Sequence, residues 1–365
     1  MAAGWGYVLR RLGIAVVLLF LLSVIAFALY FSIPSDPAFF LVDPQHSTAA
    51  QKATARHELG ADRPVIVQYE KFVTRALRGD FGIAYEGISF TSQGVPEGTH
   101  VGRQVIRAAA VTGWLALGGV ILLVLLAAPA AALAASRVGS WLDRSLITIS
   151  LIGISLHPIV LGLILQRLFG NRWHIAPDSG YCSFLPQKTA HPLGGITTPF
   201  SESTCSGPVQ WATHMALPWL TFALFFLALY MRIIRVQLLE VLGADYVRAA
   251  RAKGASEQRV LRRHALPNAF GPIIAMMGMD IGTAIGIAVY VETVYQLPGI
   301  GRLTLAALSG SQGFDLPVIL AIVLLVGAAI IVLNLIADLA QAAIDPTVSV
   351  RGQGRRARLL LGRAA

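Results

Sequence analysis

Six long apolar runs constrain this chain more than any other feature. A helix that crosses a bilayer core needs about 20 consecutive apolar residues. Leu12–Phe31, Ala108–Ala135 and Leu316–Ala337 contain no charged residue. Ser145–Gln166 is also uncharged and contains Pro158, and Leu217–Met231 lies inside a longer uncharged stretch. Phe270–Val291 is apolar except for Asp280 and is followed by Glu292. Proline and glycine do not count against these runs, because both are commoner in membrane helices than in soluble ones. The first run is too long for the apolar region of a signal peptide and has no clear small-residue cleavage site before Pro34. Composition agrees: 13% of the residues are charged and 55% are hydrophobic, whereas a soluble domain carries about 25% charged residues. Disorder is excluded, since disordered chains are poor in apolar residues. The expected fold is an all-α membrane protein with six transmembrane helices.

Charge placement orients the spans. With six spans both termini share a side. That side holds seventeen basic residues against five acidic ones, while the opposite side holds twelve against eleven. Basic loops stay in the cytoplasm, so the N and C termini are expected there. The formal charge of +10 therefore reads as topology, and no nucleic-acid partner is expected. The expected organisation is residues 1–33 as the N-terminus and first span, and 34–107 as a large extracytoplasmic loop. A core at 108–348 follows, with an outer loop at 170–213 and a cytoplasmic loop at 237–268. Residues 349–365 form a basic tail, solvated or touching lipid.

The first outer loop contains Val65–Gly82. Its apolar positions Val65, Tyr69, Phe72, Val73, Ala76 and Leu77 recur at helical spacing. A short amphipathic helix ended by Gly79 is predicted, packed over the outer ends of the spans. The only two cysteines, Cys182 and Cys205, fall in the second large outer loop. Disulfides persist outside the cytoplasm, and two cysteines allow one pairing, so a loop-shaping disulfide is predicted. The pair plus His191 is too small a ligand set for a metal site, and none is expected.

Eight basic residues lie between the fourth and fifth spans. Here Asp245 is read as an N-cap, Tyr246–Lys253 as a helix and Gly254 as its stop. A second basic helix is read over Ser256–His264, with Ser256 as N-cap, ended by Leu266-Pro267. Ala249, Ala250, Ala252 and Ala255 permit close approach to another surface, and Arg248, Arg251 and Lys253 can meet acidic groups there. Attraction to anionic lipid explains the charge but does not require this ordered pattern.

That pattern resembles the inner-membrane permeases of ATP-binding-cassette importers. Their loop reads Glu-Ala-Ala, three residues, Gly, nine residues, Ile, one residue, Leu-Pro. Ala249-Ala250, Gly254 and Leu266-Pro267 match this spacing, with Arg248 in place of the Glu and His264 in place of the Ile. The dipeptide/oligopeptide branch shares both departures. "ELGADRPVIVQY", "LRGDFG", "WLDR", "ETVYQLPGIGRL" and "AIDPTV" look like the same branch, so the resemblance runs from the first span to about Val348. It implies the type I importer permease fold, in a multi-pass protein of the bacterial inner membrane. It also implies a second, homologous permease subunit completing a heterodimer, two cytoplasmic ATPases that hold ATP and Mg, and an extracytoplasmic peptide-binding protein. Asp245, Tyr246, Arg248, Ala249, Ala250, Arg251, Lys253, Gly254 and Ala255 would then dock on an ATPase. Its closure on ATP would rock the spans between inward- and outward-facing states. Rival cargoes in the same architecture are nickel–chelate complexes, glutathione or another small solute.

Ionisable residues at membrane depth are functional candidates. Asp280 is expected to bind a substrate's amino terminus, line a wet cavity, cap a broken turn or bond a neighbouring helix. Close helix packing is expected at Gly278, Gly282 and Gly286. Glu292 and Tyr295 are expected at the outer end of the fifth span, where a binding protein docks; Asp280 and Glu292 are the candidates for pathway or gate. His157 is expected to bond a carbonyl freed by Pro158, and Asp338 to pair with an arginine of the cytoplasmic loop. No catalytic set is found. There is no GxxxxGK[ST] phosphate loop, no HExxH and no Gly-x-Ser-x-Gly, so the chain is not expected to be an enzyme or to bind a cofactor. A membrane-embedded enzyme would need clustered acids or histidines at membrane depth. A channel would not need the ordered cytoplasmic loop.

Overall fold

The structure is a computed structural model that describes residues 2–32, 63–84, 89–90, 96–97, 99–183, 203–309 and 315–344. Its helices, in chain order, are α1 (Ala2–Ser32), α2 (Val65–Leu77), α3 (Val101–Ser136), α4 (Trp141–Ser155), α5 (Pro158–Leu165), α6 (Pro208–Leu242), α7 (Asp245–Ala252), α8 (Glu257–Val260), α9 (Leu266–Met279), α10 (Ile281–Tyr295), α11 (Ile300–Leu308) and α12 (Leu316–Ile344). Wider π-helical turns follow α5 (Gln166–Arg172) and α8 (Leu261–Ala265). Two-residue strands interrupt the all-α pattern between α2 and α3 and between α5 and α6. Ser89–Phe90 pairs antiparallel with Pro96–Glu97, and Cys182–Ser183 pairs parallel with Ser203–Thr204.

Among the described residues, four helices are long and apolar enough to cross a membrane: those containing Leu9–Ala28, Val101–Ser136, Pro208–Leu242 and Leu316–Ala340. They carry the first, second, fourth and sixth predicted spans. The predicted third and fifth spans each fall on two consecutive helices, α4 with α5 and α9 with α10. In the third, Pro158 has no N–H to donate and pushes the residue before it out of the helical region. His157 accordingly sits at φ −63°, ψ 141°. Its Nδ1 accepts the Ile159 N–H at 3.4 Å, so it caps α5 where a bond to a freed carbonyl was expected. In the fifth, α9 ends and α10 begins at Asp280 (φ −83°, ψ −1°), with no proline involved.

The core lies between α3 and α6. Gly118 and Gly119 leave no room for a side chain on α3. A Cβ on the first would run into the Trp219 ring and one on the second into Phe222, so these two large side chains of α6 lie directly on the α3 backbone. Below them an alanine face of α3 (Ala127, Ala131, Ala135) joins Phe226, Met231 and Ile234 of α6 in the same buried cluster. Trp219 also donates to the Trp114 carbonyl at 3.0 Å, satisfying its indole N–H near one end of the bundle.

Smaller contacts fix the remaining helices. The Leu22 side chain of α1 covers Gly327 of α12, and Arg11 pairs with Asp338 at 2.7 Å. Asp338 thus bonds α1, where an arginine of the cytoplasmic loop was expected. Gly278 of α9 lets Ala337 of α12 approach closely, whereas a Cβ at Gly282 or Gly286 would meet nothing within 4 Å. The expected close packing holds at the first glycine alone. The amphipathic helix α2 is present and stops before Gly79 (φ +73°). It lies on α1, with Tyr69 and Phe72 against Phe27 at 5.2 and 5.6 Å and the Tyr69 hydroxyl 2.7 Å from Ser23 Oγ.

Candidate functional site

Three places carry the functional candidates. The first is the connection between α6 and α9. Gly243 and Ala244 turn the chain out of α6, and α7 follows. Ala244 occupies the N-cap position and Asp245 is the first helical residue, its carboxylate 3.2 Å from Arg248. This corrects the reading of Asp245 as the cap. Val247 is fully buried and anchors the helix, while Asp245, Tyr246, Arg248, Ala249, Arg251, Ala252, Lys253 and Gly254 are exposed. Ala250 and Ala255 are half-buried. Gly254 stops the helix at φ +82°, a left-handed conformation that glycine adopts without a Cβ clash. Ser256 holds the next N-cap position but makes no side-chain cap bond. Leu266-Pro267 does not end the second helix: the π turn runs straight into α9, with Pro267 in its first turn.

Two arginines expected to face a partner are engaged within the chain. Arg248 Nη2 donates to the Gly243 carbonyl at 3.2 Å and Arg251 Nη1 to the Leu242 carbonyl at 3.3 Å. The last carbonyls of a helix lack intrahelical donors and carry its negative end, so both arginines cap α6 from the helix that follows it. Arg251 also grips Glu257 with two bonds, at 2.7 and 3.1 Å, which holds the Glu257 carboxyl below its usual pKa range. The Tyr246 hydroxyl accepts from Asn268 of α9 at 3.2 Å.

The second place is Asp280. It is half-buried, and Oδ2 accepts from the Tyr230 hydroxyl of α6 at 2.8 Å. Of the roles open to it, the bond to a neighbouring helix is the one observed. On α10, Gly282, Thr283, Gly286 and Tyr290 are exposed, and the Tyr290 ring stacks edgewise on His157 at 4.7 Å.

The third is Glu292. With Tyr295 it is completely buried, which corrects the expectation that both stand at a docking surface. Thr112 of α3 donates to Oε1 at 2.5 Å, and the Arg302 N–H donates to Oε2 at 3.2 Å. Thr112 Oγ1 in turn accepts the Ile300 N–H at 2.9 Å. The carboxylate thus serves as an N-cap for α11 supplied by α10, where the helix dipole favours negative charge. The intervening turn makes this possible. Gln296 is left-handed (φ 57°), a Cβ at Gly299 would collide with the Glu292 carboxylate, and one at Gly301 with the backbone of Val289.

The predicted disulfide joins Cys182 to Cys205, with Cα atoms 5.2 Å apart. Pro186, His191, Pro192, Gly194, Gly195 and Pro199 lie outside the described residues, as does the tail at 349–365. The segment before Cys182 is tied to α10 as well, since the Gly180 N–H donates to the Tyr295 carbonyl at 3.0 Å. Among the described residues no group of three or more His, Cys, Asp or Glu is placed to hold a metal ion.

Sequence reasoning missed the partners. Thr112 is a lone hydroxyl inside an uncharged run, a signal that was available. Tyr230 gave none. Asp143, the fourth residue of Ser140-x-x-Asp, accepts from the Gly139 N–H at 3.0 Å and takes Arg235 of α6 bidentately at 2.7 and 2.8 Å.

Residues 127–350 match the family described as "Binding-protein-dependent transport system inner membrane component", and residues 5–92 match its N-terminal part. The chain is 31% identical over 349 residues to the dipeptide transport system permease protein DppB of Escherichia coli, covering 94% of this chain and 98% of that protein. It is 34% identical over 342 residues to a probable peptide ABC transporter permease protein of Sinorhizobium fredii, with the same coverage. The glutathione transport system permease protein GsiC of Escherichia coli is 31% identical over 342 residues, again covering 94% and 98%.

Proposed function

This chain belongs to the family of binding-protein-dependent transport system inner membrane components, and from that premise we propose that its cargo is a di- or oligopeptide. It is a multi-pass inner-membrane permease subunit, and in its family ATP is hydrolysed by a separate subunit. On the proposed reading, six spans, two of them broken, enclose half of a pathway with both termini in the cytoplasm. A homologous permease supplies the other half, two ATPases holding ATP and Mg sit beneath, and a binding protein delivers peptide from outside.

The observation that carries this reading is α7. An eight-residue helix with one buried side chain, Val247, and an otherwise largely exposed surface is tied to the end of α6 by Arg248 and Arg251, on this reading at the cytoplasmic face. Such a surface is what a docking partner needs. The family pattern begins on it with Ala249-Ala250 and continues through Gly254 to Leu266-Pro267 at the start of α9. Lys253 extends from the end of α7, and the small residues Ala249 and Ala252 permit close approach. Asp280 and the Gly282–Gly286 face of α10 are the proposed pathway side of the fifth span.

The test is to express the chain with its partner subunits, purify by a tag on this chain, and ask whether two ATPases co-elute. Gly254→Asp should abolish uptake while leaving the permease folded. Undiminished uptake would overturn the docking role. Mass spectrometry of the solute held by the partner binding protein identifies the cargo: peptide supports the reading, and glutathione or a nickel chelate replaces it.

A further inference from the structure

We propose that the buried Asp143–Arg235 ion pair is the strut that carries a displacement of α7 into the third span, and that this span yields at the break over residues 156–158. The proposal rests on the docking role given to α7 above. It concerns a pair of positioning residues that touch neither cargo nor nucleotide.

The contacts form an unbroken series. Arg248 and Arg251 bind α7 to the last carbonyls of α6, Gly243 and Leu242. Arg235 lies seven residues before Leu242 on the same helix, about 10 Å away at 1.5 Å per residue. Its guanidinium meets both oxygens of Asp143 in the first turn of α4, and the two side chains are 16% and 4% exposed. Asp143 is itself held by the Gly139 N–H, while its own N–H is capped by Ser140 Oγ at 3.2 Å. A bidentate fork fixes orientation as well as distance, so α6 and α4 cannot turn against each other while it stands. The ion pairs on α7 are different: Glu257 and Asp245 are open to solvent, where such pairs are weak.

Stability alone does not account for the pair. A buried ion pair is often no better than well-packed apolar side chains of the same volume. What it provides is one defined geometry between two helices. The rigid unit ends where α4 ends, at Leu156 and the extended His157. There the main-chain ladder is interrupted, and the span can bend at little cost.

The experiment uses the transporter purified with its partner subunits in lipid nanodiscs. Cys182 and Cys205 are bonded to each other, so introduced cysteines can be spin-labelled selectively. Labels at Ile149→Cys on α4 and Gln258→Cys on α8 report the proposed rigid unit. Labels at Gln258→Cys and Ser309→Cys report motion against the outer end. On adding ATP and orthovanadate to the parent, the second distance should change while the first stays constant. In Asp143→Asn the first distance should now shift by about 2 Å or more, the size of a helix displacement, with the ATPases still bound. Arg235→Lys, which keeps the charge and loses the fork, should act in the same direction if Asp143→Asn does not assemble. A first distance that stays constant in both variants, or that already moves in the parent, overturns the strut. No change in the second distance in the parent overturns the docking reading itself.

Discussion

Thr112 and Glu292 are 180 residues apart in sequence, yet the threonine hydroxyl donates to the carboxylate across 2.5 Å in the interior. Through it α3, α10 and the start of α11 share one hydrogen-bonded junction. Thr112→Val keeps the shape but removes the donor to Glu292 and the acceptor for the Ile300 N–H. Leaving a buried polar group unpaired costs about 1–3 kcal/mol. Thermal unfolding in detergent should show the loss, and Thr112→Ser should retain most of the parent stability.

Gly119 and Gly282 separate packing from helix propensity. Gly119→Leu drives a side chain into Phe222, and overpacking of this kind costs about 1–3 kcal/mol. Gly282→Ala meets open space and should be neutral or stabilising by up to about 1 kcal/mol. Equal melting temperatures for the two variants would contradict the α3–α6 packing described here.

The Asp143–Arg235 pair predicts an acid dependence. The bonds from Arg235, then that from Gly139, hold the Asp143 carboxyl below its usual range. A group whose folded pKa is depressed stabilises the fold above its unfolded pKa, about 3.9, and loses that contribution as pH falls through the folded value. Asp143→Asn should therefore be less stable than the parent at neutral pH, and the gap should close below about pH 4. A gap independent of pH in denaturation series would show that the charge does not stabilise the fold.

The disulfide closes a loop with a sequence separation of 23 residues. In the chain-entropy model a loop of this size is worth roughly 3 kcal/mol. Replacing both cysteines with serine should lower the melting temperature. In the parent, thiol alkylation should be seen after reduction and not before it; labelling of the unreduced protein would disprove the bond.

The four long spans were legible in the sequence because a bilayer accepts a helix on length and apolarity alone, and both are read without knowing any neighbour. Gly79 and Gly254 were legible for a similar reason, since each ends its helix by a local conformation, at φ +73° and +82°. Breaks and caps were less legible. Pro158 was seen but read as tolerable; whether a proline kinks a helix or starts a new one depends on what satisfies the new helix's first N–H groups, here the His157 ring, which accepts from Ile159. Asp245 reads as a cap by residue type, but its carboxylate went to Arg248.

Residue type and spacing determined by themselves that this chain spans a membrane and that the connection between its fourth and fifth predicted spans has the importer pattern. Tertiary structure alone decided the partners of its buried and half-buried polar groups. Asp280 bonds Tyr230, Glu292 bonds Thr112, and Asp143 bonds Arg235. Local rules act over a few residues, so they fix helices and turns. A buried hydrogen bond pairs groups that only the packing of distant helices brings within 3 Å.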